Sequence, residues 1–340
     1  MQRKDLPSPF RLGLVLSGGG AKGAYEEGVM QALARLGLAP LVEAVSGCSI
    51  GALNALLFAM GDPALWRRVW EEVGSRGLFS PGEEGPGPSP RERVEAARRA
   101  SCLRELLEAG ALASQDALRE LVRREVDPQR LCSGRPRVSV CAYDLQEERP
   151  RYFWLEGRPF DQAVELAMAS SAIPAVFPPV EAEGRYFCDG GMTPPYSRKR
   201  NADKVPAPPL ADLGLDLTLV VYLNHYDQAD LSGFPPGARV LELYPSQPLE
   251  AAPGAGTMDF SPETLRSHRE LGRRDALAAL APLLADWARG LPPEKALAEH
   301  AAANRALLER EQTKNEAVAQ RAREVREARE GEAVPGGGRG

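Results

Sequence analysis

Residues 41–60, LVEAVSGCSIGALNALLFAM, decide how this chain is read. Residues 41–46 form a short, mostly apolar run of the length of a buried strand. Residues 50–60 are apolar except for Asn54 and are stopped by Gly61-Asp62-Pro63, which predicts a buried helix too short to span a bilayer. Between them, Gly47-Cys48-Ser49-Ile50-Gly51 fits the pattern G-x-S-x-G. A strand that turns sharply into a helix needs small neighbours around the turning residue. Gly47 and Gly51 supply them, and such an elbow lifts the Ser49 hydroxyl above the sheet at a helix N-terminus. The five-residue pattern alone is weak, but a strand before it and a helix after it favour a nucleophile over an ordinary glycine turn.

Upstream the same order of elements recurs. Residues 12–16, LGLVL, read as a strand that runs into Ser17-Gly18-Gly19-Gly20-Ala21-Lys22-Gly23, and Val29, Leu33 and Leu36 mark a following helix that Gly37 can end. Strand, loop, helix, strand, turn, helix predicts a parallel sheet with helical crossovers. Consecutive glycines let backbone N–H groups face one point, so an anion is the expected guest of the loop. The loop also fits G-x-G-x-x-G, with Glu43 about twenty positions on, which keeps a dinucleotide site in view. A phosphate-binding P-loop is disfavoured because Gly23, not Ser or Thr, follows Lys22. Since the second strand ends in a serine elbow rather than an acid, the loop reads better as an oxyanion hole formed by Gly18, Gly19 and Gly20. Lys22 would add charge there or brace the loop.

A hydroxyl nucleophile needs a base. The three histidines, His225, His268 and His300, sit in no motif and read as surface or packing residues. Asp189-Gly190-Gly191 follows a short strand-like run at 185–188, and the two glycines let the carboxylate loop approach another backbone closely, although a plain turn is equally open on that motif alone. Elsewhere, residues 80–90 read as a Pro/Gly/Glu-rich linker and residues 91–126 as a helical cap with Ser114 as an N-cap. Residues 137–143 and 151–155 read as paired strands, and 217–223 and 239–244 as further strands. Leu277, Leu280, Leu284 and Trp287 form one helical stripe, better suited to core packing than to a bilayer. Residues 296–330 suggest a charged helix and 335–340 a loose tail.

Composition narrows the partners. In 340 residues, 43% are hydrophobic and 26% charged, which excludes wholesale disorder, and a net charge of −5 gives no reason to expect nucleic acid. Cys48, Cys102, Cys132, Cys141 and Cys188 lack any paired spacing, so neither disulfides nor a zinc site is predicted; no metal and no cofactor is expected. Without an apolar signal segment ahead of the first strand, the protein is expected to be cytoplasmic and soluble, with membrane contact at most peripheral.

The three motifs together resemble the patatin-like phospholipases, which combine a glycine-rich oxyanion loop, a G-x-S-x-G elbow and a D-G-G/A motif. The stretch ASSAIPAVFPP, residues 169–179, is similar to the segment that precedes the aspartate in that family. The resemblance covers about residues 12–223. It implies a three-layer α/β/α sandwich with a mostly parallel central sheet and a small helical cap, and cleavage of lipid acyl esters by a Ser49–Asp189 dyad through an acyl-serine. On this reading residues 1–80 carry the oxyanion loop and elbow, 81–130 a linker and cap, 131–290 the rest of the catalytic domain, and 291–340 a charged helix and tail. That helix could pair with another copy. Ser17 replaces the aspartate common in plant members, Lys22 replaces an arginine, and residues 196–207, with Arg198, Lys199, Arg200 and Lys204, are inserted after the D-G-G motif. This insertion reads either as an attractor of anionic headgroups or, in preference, as a solvated charged loop. Three alternatives remain open on sequence alone: a Ser–His–Asp esterase using His225 or His268, a nucleotide-binding module, and a catalytically silent lipid-binding protein.

Overall fold

The computed structural model describes residues 10–76, 80–81, 89–250 and 256–332. In chain order the elements are β1 (Leu12–Leu16), α1 (Gly23–Arg35), β2 (Val42–Cys48), α2 (Ile50–Ala59), α3 (Pro63–Arg76), β3 (Ser80–Pro81), α4 (Pro90–Arg99), α5 (Leu103–Glu108), β4 (Ala113–Ser114), α6 (Asp116–Glu125), α7 (Pro128–Cys132), β5 (Arg137–Asp144), β6 (Arg149–Trp154), α8 (Phe160–Ser170), β7 (Val180–Ala182), β8 (Arg185–Asp189), β9 (Leu217–Val221), β10 (Val240–Leu243), α9 (Pro262–Ala288) and α10 (Glu294–Glu332). The central sheet has the order β10-β9-β1-β2-β5-β8-β7, with β6 also on β5. Pairing is parallel from β10 through β5, whereas β6 and β8 run against β5 and β7 runs against β8. The sheet is therefore mostly parallel and flanked by helices, as expected.

Strand alternation sorts the side chains between two cores. Leu12, Leu14 and Leu16, with Leu217, Leu219 and Val221, face the larger core under α1, α2, α8 and α9. Val15, Ala44, Val220 and Tyr222 face the other side, where Val205, Ala207, Leu210 and, from α10, Leu307 and Leu308 cover them. The second outer layer is thin, and the predicted insertion contributes part of it. The stripe Leu277, Leu280, Leu284 and Trp287 packs against the larger core, with Trp287 edge-on to Phe10. Among the described residues, no helix is long and apolar enough to cross a membrane.

Strand β5 brings two distant strand ends together. Ser139, Val140 and Cys141 are paired with β2 and with β6, which must occupy opposite edges; Ala142, Tyr143 and Asp144 are paired with β6 and with β8. Hence β2 and β8 lie on the same edge of β5, running toward each other. Cys48 ends β2 opposite Cys141, and Asp189 ends β8 opposite Ala142, the next residue along.

Two local expectations are corrected. Ser80 and Pro81 pair with Ser114 and Ala113 as a two-stranded ribbon, so the predicted linker does not begin at residue 80; its residues 82–88 lie outside the described residues, as do residues 335–340. Ser114 is not the N-cap of the helix through Leu118. Gln115 holds that position, and the Ser114 hydroxyl donates to the Asp116 carboxylate. A serine that begins a helix in this region is Ser89, which forms a capping box with Glu92 at the start of α4.

Candidate active site

Ser49 sits at the turn between β2 and α2 with φ 55° and ψ −124°, a conformation that non-glycine residues rarely adopt. Close packing enforces it. A Cβ on Gly47 would lie 2.2 Å from the Gly51 carbonyl oxygen, and one on Gly51 would lie 2.4 Å from that of Leu16, so neither position accepts a side chain without moving backbone. The Ser49 N–H donates to the Ser170 hydroxyl at 3.0 Å, and Ser170 donates to the Cys141 carbonyl at 2.6 Å. Ser170 thus ties the elbow to β5.

Because β8 meets β2 end to end, Asp189 arrives beside Ser49 although about 140 residues separate them. The aspartate is 3% exposed. Its pKa is raised to about 6 by burial, against the opposing effects of a hydrogen bond from the Ser49 hydroxyl, the Gly191 N–H and the charge of Lys204. The Gly191 N–H donates to Oδ1 at 2.9 Å, and the Cys48 thiol stands 4.0 Å from the same oxygen. The Asp189 N–H donates to the Ala172 carbonyl at 2.9 Å. The segment ahead of the aspartate therefore holds both residues, Ser49 through Ser170 and Asp189 through Ala172. Gly190 permits this approach, since a Cβ there would lie 2.4 Å from the Cys141 carbonyl oxygen.

The glycine loop lies on the elbow, where a Cβ on Gly18 would meet the Ser49 side chain at 3.3 Å. Its donors are unequal. The Gly18 N–H is taken by the Lys204 carbonyl and the Ala21 N–H by the Thr257 carbonyl, each at 2.9 Å. Gly19 and Gly20 carry no hydrogen-bond partner on N–H among the described residues. Lys22 is 1% exposed and points its ammonium at Asn224 Oδ1, 2.6 Å away, and Glu250 Oε2, 2.9 Å away. Burial lowers its pKa, and Glu250 opposes that shift. Of the two roles read for Lys22, the bracing one matches these contacts; its charge is spent on Glu250.

The insertion divides. Around Arg198–Arg200 the loop is exposed and docks on the β5–β6 turn, with the Lys199 ammonium on the Glu147 carbonyl and Asn201 on that of Glu148. Residues 203 and 204 instead bridge the site. The Asp203 N–H donates to the Gly190 carbonyl, and the Lys204 carbonyl accepts from Gly18, so one dipeptide clasps the aspartate loop to the glycine loop. The Lys204 stem packs where Cβ atoms of Gly18 and Gly191 would stand, and its ammonium pairs with Asp227 at 3.0 Å. The clasp carries no sequence signal beyond its place in the insertion, whereas Ser170 lies in the family-like stretch 169–179, which does not by itself say what it bonds.

The histidines are placed elsewhere. His225 Nε2 contacts the Pro245 carbonyl and His300 Nε2 that of Glu242, while the buried His268 ring, its pKa lowered first by burial, lies near the Ala21 and Leu249 carbonyls. None hydrogen-bonds to Ser49 or Asp189 among the described residues. Glu43 pairs with Arg11 at the start of β2, five residues or about 17 Å of strand from the glycine-loop end, where it cannot meet a ribose bound there.

Residues 14–197 match the family described as Patatin-like phospholipase. Uncharacterized NTE family proteins of Mycobacterium tuberculosis (strain ATCC 25618 / H37Rv) and Mycobacterium bovis are 28% identical over 217 residues, which is 63% of this chain and 49% of theirs. The chain thus spans about half the length of the curated relatives it matches. Among solved structures, human GIVD cytosolic phospholipase A2 is similar at 14% identity and a TM-score of 0.47, over 88% of this chain and 61% of that one. VipD from Legionella pneumophila is similar at 14% identity and a TM-score of 0.40, over 88% and 75%. With its glycine loop, serine elbow and Asp-Gly-Gly turn all inside or beside the matched span, the chain belongs to the patatin-like phospholipase family.

Proposed function

We propose that the protein hydrolyses acyl esters of lipids, phospholipids or lysophospholipids among them, with Ser49 as nucleophile and Asp189 as its direct base. The observation that carries this reading is the meeting of β2 and β8 on one edge of β5, which sets an elbow serine against a buried carboxylate with no histidine between them. Ser49 Oγ bonds to the ester carbonyl carbon as its proton passes to Asp189. The resulting oxyanion is met by the N–H groups of Gly19 and Gly20, each such donor contributing about 3 kcal/mol in comparable enzymes. Collapse breaks the ester C–O bond, Asp189 returns the proton to the leaving alcohol, and an acyl-serine remains. Water then attacks that acyl carbon, giving its proton to Asp189; the bond from acyl carbon to Ser49 Oγ breaks as Asp189 passes the proton to Oγ, and the fatty acid is released.

A pKa near 6 leaves Asp189 ionised at neutral pH yet basic enough to take a proton. The test is hydrolysis of a p-nitrophenyl acyl ester together with labelling by a fluorophosphonate probe. Ser49→Ala and Asp189→Asn should each lower kcat by about a thousandfold or more, and the probe mass should appear on Ser49 alone. Full turnover in either folded variant refutes the dyad.

A further inference from the structure

Glu26, on the first turn of α1, is 0% exposed, and the chemistry at Ser49 and Asp189 gives it no part. A carboxyl so deep is normally met by a cation. Among the described residues none pairs with it: Lys22 is taken by Glu250, and Arg269 by Glu27. Its Oε1 makes no hydrogen bond. Burial raises its pKa well above the ordinary carboxylate range, against the opposing pull of Asn54 and of the Ser17 N–H, so the carboxyl keeps its proton at neutral pH.

The contacts that Glu26 does make point at the glycine loop and at the helix behind the nucleophile. Asn54, buried on α2, gives its side-chain amide both to Glu26 Oε2, at 2.8 Å, and to the Gly23 carbonyl, at 3.0 Å. Its own oxygen is held at 2.9 Å by the indole N–H of Trp70, from α3. At the other end of the loop the Ser17 N–H faces the Glu26 carboxyl. Ser17 and Gly23 bound the stretch that carries the N–H groups of Gly19 and Gly20, which have no partner among the described residues. One buried polar pair therefore addresses both ends of the glycine loop, and one of its members rides on the helix that Ser49 caps. The two helix starts are in close contact as well, since a Cβ on Gly23 would lie 2.5 Å from the Ile50 side chain.

We propose that Glu26 is a positioning residue for the oxyanion site: through Asn54 it fixes the glycine loop against the nucleophile helix, so that the Gly19 and Gly20 N–H groups are held where the oxyanion forms. This rests on the serine-hydrolase reading for its chemistry, though not for its geometry. An uncharged carboxyl offers Asn54 an acceptor without setting a negative charge beside donors that must receive an anion. Glutamine keeps both that acceptor and that neutrality, whereas leucine keeps only the bulk.

The experiment uses the full chain and the soluble ester p-nitrophenyl butyrate, with kcat and KM determined separately. The oxyanion exists in the transition state and not in the bound ester, so misplaced donors lower kcat and leave KM nearly alone. Glu26→Leu should lose about thirtyfold or more in kcat with KM within about threefold, and Glu26→Gln should keep kcat within about twofold of the wild type. Asn54→Leu should show the same loss, and Glu26→Leu/Asn54→Leu should add less than about threefold to either single variant, because the two residues form one bridge. Hydrogen exchange in the peptide covering residues 17–23 should run at least about tenfold faster in Glu26→Leu and at the wild-type rate in Glu26→Gln, a readout that needs no turnover. Should Glu26→Leu fail to fold, Asn54→Ala opens the same bridge from α2, with the same split between kcat and KM expected. A folded Glu26→Leu with kcat within about twofold of the wild type overturns the assignment. So does a loss carried by KM, a Glu26→Gln no better than Glu26→Leu, or unchanged exchange over residues 17–23 in Glu26→Leu. Absence of ester hydrolysis by the wild type, with the exchange difference intact, would count against the catalytic reading alone.

Discussion

The half of the site that carries the serine and the half that carries the aspartate are built by different means. Around Ser49 the geometry comes from exclusion: Gly47 and Gly51 leave no room for another atom, and the strand, elbow and helix are contiguous in sequence. Around Asp189 it comes from attachment. A five-residue strand is held by Ala172 on one side and by the 203–204 clasp on the other, with residues drawn from widely separated parts of the chain. The contrast teaches that the nucleophile is protected by sterics, which substitutions break abruptly, whereas the base is set by polar contacts and charge, which substitutions adjust by degrees.

The largest expected effect tests the steric half. Gly47→Ala or Gly51→Ala forces backbone to move at a position with no slack, and either should cost several kcal/mol, on the order of 3, and abolish soluble expression or lower Tm by more than about 5 °C. An alanine variant with wild-type Tm and turnover would show that packing does not fix the elbow. On the other side, Asp189→Asn should lose activity yet gain stability. Since the folded-state pKa of Asp189 is raised to about 6, above its ordinary value of 3.8, the fold favours the protonated form. Its contribution to stability is therefore fully present below about pH 4 and is lost as pH rises through about 6. A shift of about two units corresponds to roughly 3 kcal/mol, so neutral asparagine should stabilise the protein at pH 8 by up to that amount and by much less at pH 4. Denaturant melts at the two pH values measure this difference.

A smaller effect sharpens the role of the clasp. The dependence of kcat/KM on pH should show an acid limb near 6, with activity falling as Asp189 is protonated. Lys204→Met removes a charge that lowers the Asp189 pKa and should move that limb upward by roughly half a unit, with Lys204→Arg restoring it. The other groups facing the aspartate are the Ser49 hydroxyl and the thiols of Cys48, Cys141 and Cys188; burial raises all three thiol pKa values, so they stay neutral across this range. An unmoved limb would assign Lys204 to the clasp alone. The smallest effect belongs to His225→Ala, for which turnover within about twofold of wild type is expected, because its ring is bonded to the Pro245 carbonyl rather than to the site.

The same contrast explains which elements are legible without coordinates. Strands β1, β2 and β9 and helices α1 and α2 can be read from apolar runs punctuated by glycine, because burial on both faces leaves such a signature, while β10 shows the alternation of a half-buried edge strand. Contiguous motifs let Gly18–Gly23 and Gly47–Gly51 be recognised as turns with close backbone approach. Helix α8 is rich in helix formers, but its proline N-cap marks no clear start, and its place is set by packing on β5 and β7. Ser170, likewise, is one serine of two in a row, and only the fold decides that it, rather than Ser171, receives the Ser49 N–H. Ser114 is misread as a cap because the residue is drawn into a ribbon with Ser80, a pairing that local sequence cannot announce.

The shared edge of β5 also carries an implication for how such a chain tolerates change. With β8 antiparallel, sliding it by two residues would present Phe187 or Gly191 where Asp189 now stands, so admissible offsets come only in discrete steps, like teeth on a rack. Between those teeth the loops that join the strands can lengthen, shorten or acquire whole appendages, provided that β5, Ser170 and Ala172, which hold serine and carboxylate together, keep their places. Diversification of this scaffold is therefore unconstrained in loop length and rigidly constrained in the register of one short strand.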